Sequence, residues 1–531
     1  MSATKSSTHV GFRDKATTLA RRIYPQTNLR LGSDMVLSVV LWIAMQGLRF
    51  HPLRRDPALR LKTGKINLIM PFVKRILLSC AIILLAAIVV SLGSIAASAG
   101  ALILSNQVRV MRATPTATPF PITSLPPADN NNLPVGITAR MDEIQQQIIQ
   151  LRGFEPSKPL DRELLTPGEL RQNVMTDFLA DYSLEEARDD SAILTVFGLL
   201  EPGFDLMAFY KELYSEQIAG YYDDELEEMF VVKGSGFGGQ ESSTYAHEYV
   251  HVLQDQTFDI SEGLKFNPDD CKKDSERCLG VQALIEGDAS VTEQAWVSTY
   301  ASEQDRQEIS DFYSAFSSPV YDSAPAFMQQ DFLFPYRYGA EFIYSLRDQG
   351  GWDAVNAAYL NPPVSAEQIL HPERYPEDKP LLVEMADLSN VLNPPWLEID
   401  RGVMGEWYLY LILANGYLPE IRQPDTNARA AATGWGGDAY AVYQKGAGGP
   451  TLYTQKIVFE TETDAVEFQE TAAAYGDSRW GIAEVSNSSR KDWVTDTEAA
   501  ILLREGSSIY WIVSPDSEIA NSILAELTRQ P

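Results

Sequence analysis

A chain of 531 residues is too long for one compact core, so two or more folded units are expected. Apolar residues make up 45% and charged residues 22%, ordinary for a globular protein, and the net charge is −29. Beyond residue 75 the chain holds 29 Lys+Arg against 69 Asp+Glu, an acidic body without the basic face that phosphate neutralisation needs, which argues against nucleic acid as a partner.

The first 75 residues are the reverse, with 14 Lys+Arg and 3 Asp+Glu, and read as a basic arm. From 76 to 104 no residue is charged, and 76–90 is nearly all Ile, Leu, Ala and Val, which is long enough to cross a hydrocarbon layer as a helix. Lys74 and Arg75 stand at its entrance. The positive-inside rule therefore places the arm in the cytoplasm and the body outside, on an uncleaved single-pass anchor in the cell membrane. The small residues Ala96, Ala97, Ser98 and Ala99 offer a cleaved signal peptide as the competing reading, which the length of the preceding arm disfavours. The shorter apolar run 35–45 predicts an interfacial or small buried helix. Residues 105–136, with ATPTATPFPITSLPPADNNNLPV from Ala113, predict an extended stalk.

Helical patterning starts near Ala139 (ARMDEIQQQIIQLRGF). Thr166, Pro167, Gly168 and Glu169 resemble a capped helix start, and helices are predicted over 182–200 and 205–217. GYYDDELEEMFVVK (220–233) predicts a hairpin whose β-rich arm is 229–233. A glycine-rich link, GSGFGG, leads to a predicted amphipathic helix over 244–254, with Ala246, Tyr249, Val250 and Leu253 on its buried stripe. Cys271 and Cys278 enclose a polar loop, CKKDSERC, and suit a disulfide in an oxidising compartment. A second helix, 281–300, carries ALIEGDA. From Gly434 the pattern changes, with strands at 439–443, 451–459, 499–504 and 508–514 and helices at 463–474 and 516–527, a small α+β unit.

The chemistry concentrates in HEYVH. His247 and His251, four apart on one helix, lie one above the other and can share a single ion. Glu248 follows the first histidine directly, which places its carboxylate beside the metal in the position of a general base. A catalytic zinc needs a third protein ligand. Glu286 in ALIEGDA is the choice, with Asp288 and then His371 as rivals. Asp255, four residues after His251, is a candidate to accept a hydrogen bond from a ligand imidazole, and equally reads as an exposed helix-end carboxylate.

QIAGYYDDELEEMFVV, TYAHEYVHVLQDQTFD and ALIEGDA together resemble a bacterial and archaeal family of uncharacterised proteins regarded as zinc metallopeptidases. The likeness continues through FPYRYGAEFI, GGWDAVNAAYLNPPVSAEQILHP and GWGGDAY, and spans roughly residues 140–460. The HExxH helix with a downstream glutamate is similar to the gluzincin arrangement, although the interval to Glu286 is longer. The resemblance implies an α+β fold: a mainly helical zincin-like domain with a small sheet over 137–430, preceded by the single transmembrane helix and followed by the C-terminal α+β domain over 431–531. It implies Zn²⁺ as cofactor, a polypeptide as substrate, and a strand at 229–233 bordering the cleft, where an extended peptide adds by backbone pairing. Glu248 would be general base and then acid, and His371, Tyr336 or Tyr338 would donate to the developing oxyanion. A zinc-binding module without activity, a zinc hydrolase of small amides and a non-enzymatic surface scaffold are the other readings.

Overall fold

The computed structural model describes residues 133–173, 182–217, 220–223, 228–232 and 236–529. The basic arm, the apolar runs 35–45 and 76–104, and nearly all of the stalk lie outside them. Among the described residues no helix is long and apolar enough to cross a membrane, so the expected fold with a single transmembrane helix finds no support in them. The class is α+β, as the strand and helix patterns predict.

Helix α1 (Val135–Arg152) is placed by Met141, Ile144 and Ile148, buried at three- and four-residue spacing, and ends where Gly153 turns left-handed at φ 76°. Helix α2 (Leu184–Val196) starts on a capping box between Ser183 and Glu186. The centre of the molecule is built from α3 (Gly239–Phe258), α4 (Ser275–Thr299) and α5 (Ala326–Leu360), the last being two helical stretches joined at Gly350 and Gly351. The Asp274 carboxylate accepts the Arg277 amide to cap α4. Cys271, near the end of a short helix (Pro268–Lys273), is bonded to Cys278 in the first turn of α4, with Cα atoms 5.3 Å apart. The expected disulfide is present, but the segment it closes is mostly helical.

Helices α4 and α5 touch backbone to backbone. A Cβ on Gly287 would stand 2.3 Å from the carbonyl carbon of Gly339, and one on Gly339 would stand 2.2 Å from the Ala283 oxygen. The glycines of ALIEGDA and of FPYRYG are thus two sides of one crossing, and only residues without a side chain allow it.

Against α3 lies a small sheet of β1 (Asp161–Leu165), β2 (Gly220–Asp223) and β3 (Glu228–Val232), in the order β1-β3-β2. The predicted hairpin is β2–β3, antiparallel with Tyr222 opposite Met229. Strand β1 pairs parallel to β3 on the other side. The strand expected at 229–233 to receive a substrate is therefore central, with both edges already paired, and cannot add a peptide. Strand β2, which has β3 on one side only, lies closest to the site.

The second sheet joins β4 (Trp396–Gly402), β5 (Trp435–Lys445), β6 (Thr451–Phe459), β7 (Val485–Ser486), β8 (Arg490–Val494), β9 (Ala499–Glu505) and β10 (Ser508–Ser514) in the antiparallel order β4-β5-β6-β10-β9-β8-β7. Helices α6 (Ala366–Leu370), α7 (Gly405–Ala414) and α8 (Asp425–Ala432) lead into it. Alternate residues on β5 go to opposite cores. Tyr440 and Val442 join the side of α9 (Glu462–Trp480), while Ala441 and Tyr443 join the side of α10 (Ser517–Leu527). Both faces being covered explains why these strands read as nearly continuous apolar runs. The boundary placed at 430/431 falls inside α8, and the sheet beyond it already begins with β4. The core also runs across that point. Phe197, just past α2, sets its ring edge-on to Tyr440 and Tyr453, at 5.7 and 5.1 Å.

Candidate metal centre

Helix α3 is buried from Ser242 to Gln254 on every side, not along one stripe. It is enclosed by α1, α4 and the strands, so a polar side chain anywhere on this stretch must find a partner inside the protein. His247, Glu248, His251 and Glu286 all have 0% exposure.

The two histidine rings stand edge to face with centroids 4.8 Å apart. Glu286 projects from α4 so that its Oε2 lies 3.4 Å from His247 Nε2 and 3.6 Å from His251 Nε2. Charge-assisted hydrogen bonds are shorter, about 2.7–2.9 Å. Atoms at tetrahedral positions about 2.0–2.1 Å from one zinc ion stand roughly 3.3–3.4 Å from one another. The observed separations match ligands grouped around a shared cation better than they match direct bonds. The other oxygen, Glu286 Oε1, is buried with no hydrogen-bond partner among the described residues.

Glu248 is beside this group and held differently. One ligand atom each of His247, Glu248 and His251 fall within 4.8 Å of one another. Glu248 Oε2 accepts the Tyr222 amide of β2 at 3.1 Å, while Oε1 is buried with no hydrogen-bond partner among the described residues.

The far sides of both imidazoles are also engaged. His247 Nδ1 is 3.3 Å from Glu293 Oε2, and Glu293 Oε1 accepts the Ser243 hydroxyl at 2.5 Å. His251 Nδ1 is 2.8 Å from Gln254 Oε1. Partners of this kind fix a ligand imidazole's tautomer and direction. Sequence reasoning missed both. Glu293 lies two turns after Glu286 on the same face of α4, and Gln254 one turn after His251, and those spacings are the signal that finds them.

Electrostatically the centre is short of positive charge. Burial opposes a charge on His247, yet the close carboxylates of Glu286 and Glu293, with Glu248 nearby, push it up to about 10. Burial drives Glu248 well above the ordinary carboxylate range. Glu286 is also penalised by burial, but His251 and His247 hold it below its usual value. Three carboxylates around two imidazoles are a donor set suited to a divalent cation, and the residues fit one.

The other predicted residues are placed as follows. Asp288 turns away from the histidines and pairs with the buried Arg152 at 2.8 Å, so it does not compete with Glu286 as a ligand. His371 caps α6 and puts Nε2 3.0 Å from both oxygens of Glu406. Helix α6 meets α4 at Glu276, which accepts the Ala366 amide. Glu286 is ten residues further along α4, about 15 Å away at helical rise, so His371 is neither ligand nor oxyanion donor here. Tyr338 packs against Phe334 and Trp407 as a core residue. Tyr336 is fully buried and lies three residues before Gly339, on the face of α5 that meets α4. Asp255 accepts the Tyr222 hydroxyl at 3.0 Å, tying α3 to β2 without touching a histidine.

Residues 395–524 match a family described as Domain of unknown function (DUF8575), a stretch that covers the large sheet and none of the metal-centre residues. No match was found among curated proteins or solved structures.

Proposed function

We propose that the chain is a zinc-dependent metallopeptidase whose metal ligands are His247, His251 and Glu286 and whose general base is Glu248. The observation that carries this reading is the convergence of Glu286 Oε2 on both Nε2 atoms at 3.4 and 3.6 Å, beside a buried Glu248 oxygen with no partner among the described residues. A purely structural ion has no use for that second carboxylate.

Zinc in this setting supplies a Lewis acid that polarises a peptide carbonyl and lowers the pKa of water toward neutrality. Glu248 takes the proton of the attacking water through Oε1 and passes it to the leaving amine. The Tyr222 amide fixes the carboxylate through Oε2, so the base is oriented by strand β2 and not by its own rotamers. Glu293 and Gln254 orient the two imidazoles from behind. Tyr336 is the remaining candidate to donate to the oxyanion.

The complete burial of the four central groups favours one second reading, a closed site whose ion is structural. Catalysis additionally requires a path for the substrate to Glu248 and the ligands. The test is hydrolysis of a diverse peptide library by the full-length protein. The proposal expects cleavage by the wild type, and loss of cleavage with retention of zinc in Glu248→Gln. A zinc-replete wild type that cleaves nothing leaves the structural reading in its place.

A further inference from the structure

A buried polar chain runs from His251 to Arg152, and each link in it has one possible direction. Gln254 Nε2 stands 3.0 Å from the Ile285 carbonyl oxygen, 2.8 Å from the Tyr359 hydroxyl and 3.3 Å from Asp288 Oδ2. A carbonyl and a carboxylate only accept, so the amide nitrogen must face them and Gln254 Oε1 must face His251. Oε1 in turn accepts the proton of His251 Nδ1 at 2.8 Å. With the proton on Nδ1, the lone pair of Nε2 is directed toward Glu286, 3.6 Å away.

Asp288 is held just as firmly. It accepts from Arg152 Nε at 2.8 and 3.0 Å and from the Tyr359 hydroxyl at 2.8 Å, which leaves the Tyr359 oxygen to accept from Gln254. Arg152 has 1% exposure. Its guanidinium lies 4.0 Å from the ring centre of Phe154 and 4.4 Å from that of Trp352, and Nη1 donates to Asn356 at 2.6 Å. A buried arginine stacked and bonded in this way is a rigid anchor.

We infer that Gln254 and Asp288 are positioning residues for the metal ligand His251: Asp288, fixed by Arg152, sets the Gln254 carboxamide, and Gln254 sets the tautomer and direction of the imidazole. The inference rests on the zinc-ligand reading above. It gives the aspartate of ALIEGDA a role two steps removed from the metal, although it is two residues from the ligand Glu286 in sequence.

The experiment is the zinc affinity of the full-length protein, measured by competition with a chromogenic chelator and with zinc as the only added ligand. Removing a partner of this kind costs about 10–100-fold in metal affinity, and that loss is expected in Gln254→Leu. Gln254→Asn, whose amide retreats by one methylene, should show a loss in the same direction and serves if the leucine variant does not fold. Asp288→Asn keeps an acceptor for Arg152 but turns a donor toward Gln254 and Tyr359. A loss in the same direction is expected there, beyond any shift in the urea midpoint of the zinc-free protein, which reads damage to the fold separately. Wild-type affinity in both Gln254 variants, or in Asp288→Asn, overturns the inference alone. A wild type that binds no zinc overturns the metal reading and this inference with it.

Discussion

Glu293 and Glu248 show how the same side chain acquires different work from its surroundings. Glu293 approaches the back of His247 and is held by Ser243, whereas Glu248 faces the front of the centre and is held by a strand amide. Glu293→Gln keeps an acceptor for Nδ1 but removes its charge, and about a tenfold loss of zinc affinity is expected by chelator competition. Unchanged affinity would mean that Glu293 serves packing only. The histidine pair and Glu248 were legible in the sequence because helical spacing alone puts them together. Gln254 and Glu293 were not, because a polar side chain on a helix reads as solvated until its neighbours are known. His371 misled for the converse reason. It is one of five histidines in the chain, yet its partner is Glu406, which only the fold brings near.

Among the elements, the crossing of α4 and α5 sets where Glu286 stands. Gly339→Ala would drive a methyl group into the Ala283 carbonyl, and overpacking of this kind costs about 1–3 kcal/mol. The account expects a lower midpoint in urea and weaker zinc binding together. A loss of stability with zinc affinity intact would separate the crossing from the site. Helix α5 is also joined to α7 through Asp331, which is buried and accepts from Trp407 and Tyr408. Burial outweighs those two hydrogen bonds and pushes Asp331 up to about 6. The folded state therefore holds this proton more tightly than the unfolded chain does. The contribution of Asp331 to stability is fully present below about pH 4 and is lost as pH rises to about 6, on the order of 3 kcal/mol. Asp331→Asn should remove that dependence, so its stability relative to wild type rises between pH 4 and pH 7. A difference between the two proteins that is constant with pH would contradict this. The hairpin β2–β3 was readable from its turn residues and β-rich arm, and four strands of the large sheet from their apolar runs. Strands β1 and β4 were not, since each pairs with a partner distant in sequence, and neither were β7 and β8, which are short and largely polar.

For the whole molecule, the sequence suggested two bodies after the stalk, because the pattern changes near Gly434. The packing joins them. Phe197 lies against Tyr440 and Tyr453, and the Tyr475 hydroxyl and Arg479 reach the backbone of Phe197 and Val196. Phe197→Ala is expected to cost about 3–5 kcal/mol and to weaken both parts, so that one cooperative transition moves to lower temperature. Two transitions of which only one moves would show that the parts unfold separately. The matched domain of unknown function takes in the large sheet and its helices but no residue of the metal centre, which therefore stands on its own geometry. The most direct test of that geometry is the zinc content of the purified full-length protein beside a Glu286→Ala variant. The account predicts one zinc per chain in the wild type and loss of tight binding in the variant, and a wild type without zinc, or a variant that holds it equally well, would contradict it.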